Sequence, residues 1–300
     1  MINFRTAKFH FSHGFSDYYE DAYVDFSQSK PYPLTTSYIR YAHNLNRLQP
    51  IFKFAVDSFQ TTIRPSTHNN ELIRLAHSEL STFVGSQHHA TSYVAIHIRR
   101  GDHKPASYEY HGYIPTQEFA QAADDNWRRL HPDSNGLPSK PIVYLASDSP
   151  SALSKFLEDF DGQTFSLFVS EIPSLRDVAS PGDYYQEKFS KLSEDERVMA
   201  TRGMIVDFAM ISGMWAGKDD ILPVASLCSI RCVLFHLNDF ILSRWACSSN
   251  VCRLTAVGLG WERAFGAVNQ MGYADEKHRR WVDVDQKGRI IPIWEPFELF

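Results

Sequence analysis

Three observations predict an α/β fold built on a parallel sheet. Short apolar strand patterns alternate with amphipathic helical patterns along most of the chain. The patterns at 93–98 and 142–146 are apolar almost throughout, as in strands covered on both faces. Each then meets polar residues, Arg99-Arg100 and Ser147-Asp148, at the carboxyl edge where open α/β sheets bind their ligands.

Residues 1–35 are aromatic and polar without a clear period. Residues 38–60 and 68–84 read as helices, and Leu72, Ile73, Leu75, Ala76 and Leu80 give the second an apolar face. In the first strand Val94, Ile96 and Ile98 alternate with Ala95 and His97, and Gly101 permits a sharp exit. A polar loop leads to Pro115, which opens a helix reaching about Leu130. A loop rich in Pro, Ser, Asn and Gly precedes the strand at 142–146. Ser149-Pro150 then starts a helix to about Phe160, and 164–169 reads as a third strand. Residues 170–192, with Pro173, Pro181 and Gly182, read as loop. A long helix at 194–215 has Val198, Met199, Met204, Ile205, Phe208 and Ile211 assigned inward. A strand at 221–225 and a helix at 249–265 follow. Finally, residues 281–285 alternate, Gln286-Lys287-Gly288 turns and 289–294 returns, a hairpin signal.

A net charge of −5 argues against nonspecific nucleic-acid binding, which needs a basic face. No apolar run approaches the roughly 20 residues that span a bilayer, and the first thirty residues lack the apolar core of a signal peptide. Cys228, Cys232, Cys247 and Cys252 lack the Cys-x-x-Cys spacing of zinc sites. They read as buried thiols or as one disulfide in a secretory setting.

The polar segments carry the chemistry. Arg99 and Arg100 form a guanidinium fork suited to phosphate or carboxylate oxygens, or else a surface ion pair with Asp102. Asp148 either meets a ligand at the sheet edge or caps the next helix. Asp207 is an acid on a largely apolar helix and needs a partner. That partner is an arginine of the fold or a ligand with paired N–H donors, such as the guanine edge. Ser248, Ser249 and Asn250 before a helix are caps, or hydroxyls and N–H groups aimed at a phosphate.

In series, His97-Ile98-Arg99-Arg100-Gly101-Asp102, Val143-Tyr144-Leu145-Ala146-Ser147-Asp148, Arg202-Gly203-Met204-Ile205-Val206-Asp207 and Ser248-Ser249-Asn250-Val251-Cys252-Arg253 form a pattern. It resembles the donor-binding half of GDP-fucose-dependent fucosyltransferases, in particular the α1,6-fucosyltransferases of N-glycan cores and the protein O-fucosyltransferases. The similarity covers roughly residues 90–265. It implies the Rossmann-like C-terminal lobe of a GT-B glycosyltransferase with an incomplete N-terminal lobe. Residues 91–300 would be the GDP-fucose-binding domain, ending in the hairpin, and 1–90 a partial N-terminal lobe or helical lead-in.

Carried over by position, Arg99 holds the β-phosphate and His97 places the guanine, whose edge donates to Asp207. Ser248, Ser249 and Asn250 bind the pyrophosphate, and Arg100 and Asp102 shape the sugar and acceptor side. Arg99, Arg100 and Asp102 are thus the candidate catalytic residues, with Asp102 nominated as base. The implied reaction is metal-independent, inverting transfer of fucose from GDP-fucose to a glycan or glycoprotein hydroxyl in the secretory pathway, with no cofactor beyond the donor. The rival reading is a nucleotide-sugar-binding pseudoenzyme or truncated homologue without transferase activity.

The chain departs from the family pattern in four places. His103 stands where the core enzymes carry Lys, and Glu109 is the nearest acid beyond it. Residues 1–90 are too few for a full N-terminal lobe, as in a chain that starts inside a longer protein or a degenerate homologue. Residues 226–246 interpose about twenty apolar-rich residues where the strand should run almost directly into Ser-Ser-Asn. They read as an extra helix or as untranslated sequence read through.

Overall fold

A computed structural model describes residues 45–87, 92–101, 113–132, 140–229, 232–233, 246–247, 250–269, 274–275 and 277–284. Five strands form one all-parallel sheet: β1 (Tyr93–Ile98), β2 (Val143–Ser147), β3 (Thr164–Phe165), β4 (Pro223–Cys228) and β5 (Trp281–Asp283). Their order is β3-β2-β1-β4-β5, so the predicted α/β parallel sheet is present and Rossmann-like. The chain builds outward from β1 through β2 to β3, then crosses to the other side of β1 for β4. This reversal is a topological switch point, with a crevice beyond the carboxyl ends of β1 and β4.

The helices are α1 (Leu45–Thr62), α2 (Thr67–Gly85), α3 (Thr116–Leu130), α4 (Pro150–Asp159), α5 (Pro173–Arg176), α6 (Gln186–Phe189), α7 (Glu194–Ser212), α8 (Asn250–Leu259) and α9 (Trp261–Phe265). Every β1 residue is buried, so its alternation separates two covered faces. Tyr93 and Ala95 join Tyr144 and Ala146 of β2 against α2 and α7. Val94, Ile96 and Ile98 pack with Phe119, Ala123 and Trp127 of α3 and Phe156 of α4. A third apolar cluster brings Phe52 of α1 against α8, α9 and Trp281.

Several expectations change in detail. Val198, Met199 and Met204 of α7 are 41%, 48% and 49% exposed, not inward. Apolar residues surround this helix, so no single stripe identifies its buried side. Val206, Ala209, Met210 and Ile211 are the residues that join the sheet's Tyr93 and Tyr144 in the core. The third strand is shorter than expected, ending at Phe165 before a 3₁₀ turn over Leu167–Val169. The expected helix at 249–265 breaks at Gly260 into α8 and α9.

β4 runs to Cys228, so the first three residues of the apolar-rich segment are sheet. Cys232–Val233 pairs antiparallel with Ala246–Cys247, while 230–231 and 234–245 lie outside the described residues. A Cys228–Cys252 disulfide ties the end of β4 to α8. At the other end of the chain, the first arm of the expected hairpin is β5, paired in parallel with β4; its return arm lies outside the described residues. Among the described residues no helix is long and apolar enough to cross a membrane.

Candidate functional site

The parallel register of β1 and β2 sets Ile98 opposite Ser147, so Arg99, Arg100 and Asp148 leave the sheet side by side. The Arg100 backbone N–H donates to Asp148 Oδ1 at 2.7 Å, and Arg99 Nε lies 3.4 Å from Asp148 Oδ2. Ser147 Oγ donates to the Ile98 carbonyl at 2.9 Å, adding a second tie between the strand ends. Asp148 therefore partners the arginines and does not cap α4. The cap is Ser149, in extended conformation one residue before Pro150, whose Oγ accepts from Ala152 N.

Burial raises the Asp148 carboxyl above its ordinary range, and Asp183 adds to the rise; the Arg99 charge and the Arg100 N–H oppose it. Arg100 turns inward, donating from Nη2 to the Ile114 carbonyl at 3.0 Å, with its guanidinium 4.8 Å from the Tyr113 ring centre. The Tyr113 hydroxyl donates to the Gly101 carbonyl. Arg99 keeps 23% of its side chain exposed and lies 4.6 Å from the Tyr184 ring centre.

Tyr184 arrives on residues 178–184, a strap crossing this edge of the sheet. Two glycines admit it. A Cβ on Gly101, whose φ is +82°, would sit 1.9 Å from the Tyr184 carbonyl oxygen. A Cβ on Gly203 would sit 2.0 Å from the Val178 carbonyl oxygen. Both glycines come from the arginine-bearing motifs of the sequence. Neither tyrosine was marked by the sequence, because both lie in loops without a period.

His97, the last inward residue of β1 on the α7 face, is 8% exposed. Burial, helped by the Arg99 charge, lowers its pKa to about 3, so the imidazole is neutral at physiological pH. Its Nδ1 has no hydrogen-bond partner among the described residues. Asp207 meets a hydroxyl instead of an arginine: Tyr144 donates to its Oδ1 at 2.7 Å. Burial raises Asp207 to about 7, opposed by that hydrogen bond. Tyr144 is in register with Ala95, whereas His97 is opposite Ala146, so Asp207 meets the sheet one pleat short of His97.

The structure thus brings His97, Arg99 and Arg100 to one edge with Asp148. Asp102, Ser248 and Ser249 lie outside the described residues, and Asn250 begins α8, its side chain likewise outside them. No group of three or more His, Cys, Asp or Glu is arranged to hold a metal ion among the described residues. No protein-family model, curated protein or solved structure matches the chain, so a functional reading stands on the residues of this edge.

Proposed function

We propose that this chain is the C-terminal, donor-binding lobe of a GT-B-type fucosyltransferase. It binds GDP-fucose beyond β1 and β4 and transfers the fucosyl group to a glycan or protein hydroxyl. The supporting observation is the Arg99-Arg100 pair leaving β1 beside the switch point, with Asp148 and the Tyr184 ring in contact with Arg99. A pre-oriented guanidinium suits a diphosphate both in binding and when charge develops on it. The resemblance of the four motifs, in family order, is what supports GDP-fucose as the donor.

In the reaction proposed, the acceptor oxygen attacks the anomeric carbon from the face opposite the phosphate. The C1–O bond to the β-phosphate breaks, its electron pair passes to GDP, and Arg99 stabilises the resulting charge. The acceptor proton goes to a carboxylate, for which the resemblance nominates Asp102. His97, held neutral, contributes hydrogen bonding to the base without adding charge. The Cys228–Cys252 disulfide accords with an oxidising, secretory compartment.

Asp148, the acid in contact with the arginines, faces Arg99 and the Arg100 N–H, so the acceptor proton is left to another carboxylate. Calorimetry with GDP and GDP-fucose, alongside a fucose-release and transfer assay, separates the readings. Micromolar binding that Arg99→Ala weakens at least tenfold supports the donor site, and turnover supports the transferase. Absence of binding to either nucleotide overturns both.

A further inference from the structure

We propose that Tyr184 is a positioning residue for Arg99, holding its guanidinium in the orientation that receives the donor diphosphate; this rests on the GDP-binding reading above. A planar group is oriented by one contact at its edge and one on its face. Asp148 supplies the edge contact, 3.4 Å from Nε, and the Tyr184 ring lies 4.6 Å from the guanidinium carbon. Neither contact alone fixes the plane.

The strap that carries Tyr184 is placed by its backbone. Its path is set where the Val178 carbonyl crosses Gly203 and the Tyr184 carbonyl crosses Gly101. The Ser180 hydroxyl closes the bend between them by donating to the Gly182 carbonyl at 2.7 Å. The tyrosine ring also packs against Phe189 of α6, ring centres 5.4 Å apart, and its contact with Arg99 is a separate interaction. The Tyr184 hydroxyl donates to Gln186 Oε1 at 2.7 Å, an exposed contact within the loop and α6. What the arginine uses is the aromatic face, which attracts a cation through its quadrupole.

The test is a double-mutant cycle in the full chain, read by calorimetry with GDP. Tyr184→Phe keeps the ring and binds GDP within about twofold of wild type. Tyr184→Leu keeps apolar bulk but loses the aromatic face, and weakens GDP about fivefold to tenfold, the scale of a partly desolvated cation–π contact. In the Arg99→Ala background the same Tyr184→Leu change has less than a twofold effect, because the tyrosine acts through the arginine. A purely structural role would give the same loss in both backgrounds. That additivity, or wild-type affinity in Tyr184→Leu while Arg99→Ala is impaired, overturns the proposal and leaves the GDP reading standing. Wild-type affinity in Arg99→Ala, or no GDP binding by the wild-type chain, overturns the reading and the proposal together.

Discussion

The carbonyl oxygen of Val178 occupies the space beside Gly203, 2.0 Å from where a Cβ would stand. The strap and α7 thus touch backbone to backbone, and a rigid carbonyl, unlike a side-chain tip, has little room to yield. Gly203→Ala is expected to destabilise the protein by roughly 1–3 kcal/mol, the usual cost of overpacking. Gly101→Ala adds a left-handed backbone cost of about 1–2 kcal/mol to a similar clash with Tyr184. Urea denaturation ranks the two. A Gly203→Ala protein as stable as wild type would mean that the strap moves freely off the helix.

Asp148 links two strand ends by accepting from a backbone N–H and facing a guanidinium. Asp148→Asn keeps an acceptor for Arg100 N and loses only the charge opposite Arg99, so its cost is about 1 kcal/mol. Asp148→Ala removes both and leaves a part-buried N–H unsatisfied, at about 2 kcal/mol. Equal stability losses in the two variants would show that the backbone hydrogen bond contributes nothing.

How much of this was legible beforehand divides along physical lines. β1 and β2 were readable because full burial on two faces leaves an apolar run, and their pairing sets Asp148 beside the arginines. The buried side of α7 was not readable, because Val198, Met199 and Met204 are as apolar as Val206 and Met210. Only the position of the sheet chooses between them. Tyr184 was invisible for another reason. It reaches Arg99 from a Pro/Gly loop whose course is fixed by absent side chains at Gly101 and Gly203, which leave no pattern of their own. The partner of Asp207 depended on which residue of β2 lay beneath α7, and that residue is Tyr144.

Asp207 and His97 bend the pH–stability curve in opposite directions. Burial raises Asp207 from 3.8 to about 7, so between those values the folded state holds its proton more tightly than the unfolded chain. Its contribution is full below pH 3.8 and is lost as pH rises through about 7. His97 falls from 6.5 to about 3, so its contribution is present above pH 6.5 and is lost as pH falls toward 3. Asp207→Asn keeps an acceptor for Tyr144 and cannot ionise. It should raise the melting temperature at pH 8 and give no gain at pH 4. A gain of equal size at both pH values would detach the effect from ionisation.

His77 of α2 is fully buried, and neither ring nitrogen has a hydrogen-bond partner among the described residues. Burial lowers its pKa, with the Asp220 charge pulling the other way, so the native ring is neutral. Desolvating a polar group without a partner costs about 1–3 kcal/mol. His77→Leu removes that cost and keeps an apolar side chain against Ile73 and Leu80, which line the same helix face. Imperfect filling of the ring's shape returns about 1 kcal/mol. The net expectation is a protein up to about 2 kcal/mol more stable at pH 7. The gain should grow as the solution is acidified through 6.5, because the wild-type unfolded chain takes up a proton there that the folded state refuses. Guanidinium denaturation at pH 7 and pH 5 measures both. A destabilised His77→Leu protein would overturn the expectation and show that the packing of the imidazole ring outweighs its desolvation.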